Sequence, residues 1–134
     1  MDDVVECIPK TMEKFLGCTG KLVKPSPDTV ESLLRQIRKG KIATISQLRE
    51  KIAKDFNVET ACPAATMKAL QLISKQEQAK CFWRVVTAKG ELISKFPGGV
   101  AGHAELLLRE GHQIDFSRKV PFVIEYASKL AAFA

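Results

Sequence analysis

Residues 43–76 read ATISQLREKIAKDFNVETACPAATMKALQLISKQ, and the way this stretch divides decides the fold. Thr44 with Gln47 three residues on is a capping-box pattern, a hydroxyl and an amide that satisfy backbone N–H groups reciprocally at a helix start. Leu48, Ile52 and Phe56 then recur every fourth residue and supply one buried face. Beyond a short polar turn, Pro63 suits the first position of another helix, with Met67, Leu70 and Ile73 inward. Two short helices across a brief turn, following a longer one, make a helix-turn-helix pattern. In that arrangement the second of the pair lies in a nucleic-acid groove.

Working toward the N-terminus, PSPDTVESLLRQIRKG (25–40) supplies the longer helix. Ser26 caps it, Pro27 takes the first turn, and Asp28 and Glu31 complement its positive end. Val30, Leu33, Leu34 and Ile37 form the apolar stripe, and Gly40 ends it. Residues 1–25 read as an irregular lead-in with one helical turn near Pro9–Phe15. Toward the C-terminus the period shortens. CFWRVV (81–86) is aromatic and β-branched, ELI (91–93) follows a Lys89-Gly90 turn, and together they predict a β-hairpin. SKFPGG (94–99) is a loop whose glycines permit close approach of a ligand. VAGHAELLLREG (100–111) predicts a helix with Leu106, Leu107 and Leu108, stopped by Gly111. VPFVIEYASKL (120–130) predicts a last amphipathic helix with Phe122, Val123, Tyr126 and Leu130 on one side. The fold class is mainly α with a small β-hairpin, a winged helix. It divides into a lead-in over 1–25, the winged-helix domain over 26–114 and a helical extension over 115–134.

At 134 residues the chain is one domain by size, with a formal net charge of +6. The charge is segregated. Arg35, Arg38, Lys39, Lys41, Arg49, Lys51 and Lys54 face a single acid, Glu50, in that interval. Lys68, Lys75, Lys80, Arg84, Lys89 and Lys95 are opposed by Glu77 and Glu91. Such a distribution suits a polyanion, although a solvated basic face on an ordinary protein has the same composition. No run is apolar or long enough to span a membrane, and MDDVVECIPK is acidic with no apolar signal region. The four cysteines (Cys7, Cys18, Cys62, Cys81) form no CxxC pair. They read as reduced thiols of a cytoplasmic protein, with a Cys7–Cys18 disulfide as the alternative, and they give no metal site and no cofactor.

The order GKIATISQL (40–48), a recognition-type helix, WRVVTAKGEL (83–92) and FPGGVAGHAELLLREG (96–111) resembles the C-terminal DNA-binding domain of the methylated-DNA–protein cysteine methyltransferases. It is most similar to the small alkyltransferase-like branch, over residues 26–114. The resemblance implies a winged helix whose recognition helix enters the minor groove and turns a damaged guanine out into a pocket. That family's repair motif is Pro-Cys-His-Arg-Val-Val, whose cysteine takes the alkyl group once. Anchored on Arg84-Val85-Val86, the motif places its cysteine on Phe82, its histidine on Trp83 and its proline on Cys81. A thiol attacks as thiolate, which the family arranges through a histidine backed by a glutamate. Glu110 matches that glutamate, but Trp83 cannot take a proton from sulfur and Phe82 has no nucleophilic atom. On a strand, Cys81 and Phe82 point to opposite faces. Alkyl transfer is therefore absent unless a bulge turns Cys81 into the pocket; otherwise Cys81 is a small buried hydrophobe.

The same alignment sets Thr44-Ile45 on the family's Ser/Thr-Tyr, Ala64 on its flipping arginine and Met67 on a glycine. It implies a lesion pocket of Phe82, Trp83, Phe96, Pro97, Gly98 and Glu110. Nucleic-acid contacts fall to Arg38, Lys39 and Lys41 as phosphate clamps and to Thr44 at the helix start. Ala64, Thr66 and Met67 follow at the head of the recognition helix, then Lys68, Gln71 and Lys75 on its polar side. Met67 is either a wedge between bases or a core residue; Arg84 faces phosphate or holds the loop. His103 and His112 are assigned no catalysis. The expectation is a monomeric reader of duplex DNA that recognises O6-alkylguanine non-covalently and assists a repair-pathway protein. Two alternatives stand beside it: an active methyltransferase using Cys81, and a winged-helix regulator without lesion recognition.

Overall fold

The computed structural model describes residues 3–16, 20–76 and 81–133, so Cys18, Glu77 and Lys80 lie outside the described residues. Among the described residues, five α-helices are interspersed with short strands. The order is β1 (Val4–Cys7), α1 (Lys10–Leu16), β2 (Lys21–Lys24), α2 (Pro27–Leu34), β3 (Ala43–Thr44), α3 (Ile45–Asp55), β4 (Thr60–Ala61) and α4 (Pro63–Ser74). A 3₁₀ turn over Phe82–Arg84 follows, then β5 (Val85–Val86), α5 (Gly99–Arg109), β6 (Ile114–Asp115), β7 (Phe122–Val123) and a second 3₁₀ turn over Tyr126–Lys129.

The helix starts follow their local chemistry. The Ser26 hydroxyl accepts from Thr29 N, with Pro27 in the first turn. At α3 the capping box is complete: Gln47 N donates to Thr44 Oγ1 at 3.1 Å and Thr44 N donates to Gln47 Oε1 at 3.0 Å. α5 closes as a Schellman motif. Gly111 sits at φ 89°, its N–H reaches Leu108 O, and the His112 N–H reaches Leu107 O. Helix α2 ends at Leu34 rather than at Gly40. Gln36 and Ile37 tighten the chain with i−3 bonds to Leu33 and Leu34, so the left-handed Gly40 serves the next turn instead.

Helices α3 and α4 form the helix-turn-helix. They pack with α2 on a core in which Val30, Leu34, Leu48, Leu70 and Ile73 are completely buried. The turn between them carries β4, and here the irregular lead-in expected over 1–25 is overturned. Strands β1 and β2 pair antiparallel, and β2 pairs parallel with β4 through Leu22↔Thr60 and Val23↔Ala61. The Glu59 carboxylate accepts from Lys21 N at 2.6 Å, tying the same segments together. Val23 is wholly buried in the main core.

The hairpin expected within 81–93 takes other partners. Val85 and Val86 pair parallel with Ala43 and Thr44 and are sealed on both sides, Val85 in the main core and Val86 in a second cluster with Ile42, Leu92 and Leu107. A strand buried on both faces suits parallel pairing. The Lys89-Gly90 turn does form, with Thr87 N donating to Glu91 O, but its outgoing arm joins β7: Leu92 N reaches Pro121 O and Val123 N reaches Gly90 O. That pairing removes the helix expected over 120–130. Val120 precedes a proline, which disfavours helical φ and ψ. Phe122 and Val123 pair with Asp115 and Ile114, and Glu125 turns left-handed at φ 56°. The segment ends against Ile42, whose N–H reaches Lys129 O and whose carbonyl accepts from Ala131 N.

Candidate nucleic-acid interface

The residues matched to the repair motif build a polar hub beneath an aromatic cluster. Cys81 adopts a left-handed conformation at φ 51° and starts the 3₁₀ turn. Because Phe82–Arg84 is a 3₁₀ turn and not a strand, side-chain alternation does not apply to it. Phe82 points into the core and is 5% exposed. Its ring meets Phe96 edge-on at 4.9 Å and Trp83 at 5.3 Å. Cys81 is a partly buried free thiol at the margin of the same cluster.

Trp83 and Arg84 both converge on Glu110, the helix cap of α5. Trp83 Nε1 donates to Glu110 Oε1 at 2.9 Å, and Arg84 Nη2 and Nε donate to Oε2 and Oε1 at 2.6 and 3.0 Å. Arg84 Nη1 donates to Ile37 O at 2.7 Å, joining the end of α2 to the hub. Burial alone would raise the Glu110 carboxyl; the Arg84 and Trp83 hydrogen bonds outweigh it and hold the group below its ordinary value. Trp83 thus bonds the glutamate through its indole N–H while offering no base. His103, 1% exposed, is the second tie. Ile93 N donates to its Nδ1 at 3.0 Å, which leaves the ring proton on Nε2 for Trp83 O at 2.7 Å. Burial pushes its pKa down to about 4. His112 is also buried and lowered, by desolvation first and Lys129 second, and its Nε2 has no partner among the described residues.

Of the expected lesion pocket, Phe82, Trp83, Phe96 and Glu110 come together, and the rings of Phe82 and Phe96 fill the space between them. Pro97 and Gly98 are exposed above. The close approach that glycine allows here is internal: a Cβ on Gly102 would lie 2.9 Å from Pro97 O, so the loop rests directly on α5.

The expected contacts divide by exposure. Arg38, Lys39, Lys41, Ala64, Lys68 and Lys75 are exposed, and Gln71 is half-buried. Arg38 and Lys41 converge with Arg35 on a groove of about 620 Å³ whose other wall is Leu130, Ala131 and Ala132. Ala64 and Lys68 border a separate apolar groove of about 550 Å³ between α4 and the N-terminal sheet. Three expected contacts lie inside the fold instead. Thr66 is fully buried with its hydroxyl donated to Cys62 O, Thr44 is 5% exposed with its N–H and hydroxyl engaged by Gln47, and Arg84 is bound to Glu110 and Ile37. Met67 is half-buried against the main core. Arg49, counted among the basic run, donates to Ala61 O and Thr60 Oγ1 and so braces the turn between α3 and α4. His103 as a tie between loops was missed. Its only sequence signal is its place on the inward face of a helix, one turn before Leu107.

No protein-family model and no curated protein sequence matches the chain. Two solved structures do. S. pombe Atl1 in complex with damaged DNA containing O6-carboxymethylguanine superposes with a TM-score of 0.60 at 15% identity, over 80% of this chain and 94% of that one. S. pombe ATL in complex with DNA gives 0.59 at 16% identity, with the same coverage. At these identities the likeness is one of fold: a mostly helical, helix-turn-helix architecture with small sheets.

Proposed function

We propose that this chain is a DNA-binding protein of the alkyltransferase-like kind, which recognises alkylated guanine in duplex DNA and leaves the alkyl group in place. The observation that carries the reading is the site around Glu110. Glu110 and Arg84 form a partly buried pair, Trp83 joins it at the position the resemblance gives to a histidine, and Phe82, at the position the resemblance gives to the acceptor cysteine, has no nucleophilic atom. The likeness of fold to the S. pombe proteins, which are bound to DNA, supports the choice of partner. Phosphate contacts come from Arg38, Lys39, Lys41, Lys68 and Lys75, all exposed. The protein acts as a monomer, and its binding marks the lesion for a repair-pathway protein.

One observation favours a second reading, a winged-helix DNA-binding protein without lesion recognition. Phe82 and Phe96 pack on each other at 5% and 3% exposure, and a turned-out base would have to displace them. Extruding a base already costs a few kcal/mol. Matched duplexes with and without O6-methylguanine, titrated by fluorescence anisotropy at several salt concentrations and followed by intact mass, separate the readings. The first expects tighter binding to the lesion duplex and an unchanged mass. It also expects Lys68→Gln with Lys75→Gln to lower the steepness of log K against log salt by about 2. Equal affinity for both duplexes leaves the second reading. A mass increase of one methyl group overturns both in favour of transfer to Cys81.

A further inference from the structure

Phe116 is the most exposed large apolar side chain among the described residues, at 58%. It opens the loop that joins β6 to β7. The hairpin is rooted firmly. Val123 is completely buried and Ile114 packs on the second cluster beside it, with Ile124 N bonded to Gln113 O at 2.9 Å. Its tip is held as well: the Asp115 carboxylate accepts from the Ser117 N–H at 2.8 Å and from the Ser117 hydroxyl, an Asx-type turn that sets the chain direction immediately after Phe116. Arg118 lies over the Phe122 ring with its guanidinium carbon 4.6 Å from the centroid, so its charge is kept on the hairpin. Lys119 is exposed beside it, and Lys89 occupies the adjoining turn, whose Gly90 carbonyl accepts from Val123 N. The acids nearby are Asp115, engaged with Ser117, and Glu91, bridged to Phe122.

A solvent-exposed ring followed within three residues by two exposed cations matches the two parts of a single-stranded nucleotide, a flat apolar base and an anionic phosphate. A lipid surface fits less well. One ring, one half-exposed valine and three cations fall short of the broad apolar face or the longer polybasic run that membrane anchoring needs. We propose that the β6–β7 hairpin is a second nucleic-acid contact, in which Phe116 stacks on an unpaired base while Arg118 and Lys119 sit on the flanking phosphates. The inference rests on the reading of the chain as a DNA-binding protein. It adds a preference for DNA with an exposed base, through residues other than those expected to contact the duplex.

The test compares the full chain with Phe116→Ala, Phe116→Tyr and Arg118→Gln/Lys119→Gln on a paired duplex and on the same duplex with a one-nucleotide gap facing 2-aminopurine. Circular dichroism and the melting midpoint confirm that each variant is folded. Expected are 2-aminopurine quenching by the unaltered chain, its loss with roughly tenfold weaker gapped-duplex binding in Phe116→Ala, and its retention in Phe116→Tyr. The Arg118→Gln/Lys119→Gln variant weakens gapped-duplex binding and flattens its salt dependence, and paired-duplex affinity is unchanged in Phe116→Ala. Paired-duplex binding with no quenching, or quenching that survives Phe116→Ala, overturns this inference and leaves the DNA-binding reading intact. Phe116-dependent gapped-duplex binding without paired-duplex binding supports this inference and overturns only the recognition of intact duplex by the helix-turn-helix. Failure to bind either DNA overturns both. Phe116-dependent binding to phosphatidylserine vesicles, with no 2-aminopurine quenching, replaces the base with a lipid surface.

Discussion

Lowering the pH from 7 to 5 weakens this fold through His103. The imidazole is almost wholly buried, with an N–H donor aimed at Nδ1 and a carbonyl at Nε2–H, so a second ring proton would face Ile93 N–H with no acceptor. Its pKa in the fold is about 4, against an ordinary 6.5, chiefly through desolvation. Between those values the unfolded chain binds a proton that the folded chain refuses, so the contribution of His103 to stability is whole above 6.5, declines as pH falls, and is gone below about 4. A tenfold difference in proton affinity is worth about 1.36 kcal/mol, which makes the whole effect about 3 kcal/mol, of which about 2 kcal/mol falls between pH 7 and 5. His112 adds to the loss in the same direction. Glu110 and Asp3, both held below their ordinary values, contribute stability that is lost only at lower pH, as the pH falls through each depressed folded pKa. Urea titrations at pH 7 and pH 5, on the unaltered chain and on His103→Asn, read the difference directly. The substitution is expected to shrink the gap between the two pH values by about 2 kcal/mol, whatever it does to stability at pH 7. The same gap in both proteins would refute the assignment of a bare Nδ1 facing Ile93.

Two other substitutions test the ties that hold the site. Glu110→Gln keeps the shape but leaves the Arg84 guanidinium, 13% exposed, without a counter-ion; a loss of about 3 kcal/mol in urea unfolding is expected, and a loss under about 1 kcal/mol would show the pair to be ornamental. Thr44→Ala removes one half of the α3 capping box and should cost about 1 kcal/mol, with Thr44→Ser restoring most of it; equal stability of all three would mean that Gln47 alone satisfies the helix start.

Much of the helical framework was legible in the chain because its signals are local. Ser26, Thr44, Pro63 and Gly111 each act on backbone groups within a few residues, and each does so where the spacing predicts. The candidate site was only half legible. The alignment put Phe82, Trp83 and Glu110 together, yet it could not show Phe82 turned inward, because that depends on Cys81 going left-handed and starting a 3₁₀ turn. Nor could it separate Arg49 and Arg84, which brace backbone carbonyls, from Lys68 and Lys75, which stay in solvent; a cation in a basic run looks the same in either role.

The amino-acid order by itself determined where α2, α3 and α4 begin, which of their faces are apolar, and that Phe82 carries no nucleophilic atom. Tertiary structure alone decided which strands pair and which polar groups are closed off. β5 joins β3, β4 joins β2, and Arg84 finds Glu110 across 26 residues of chain. The difference is physical. A cap or an apolar stripe is satisfied by neighbours a turn away, whereas two-residue strands and buried charges have no preference until distant backbone and side-chain partners are brought against them.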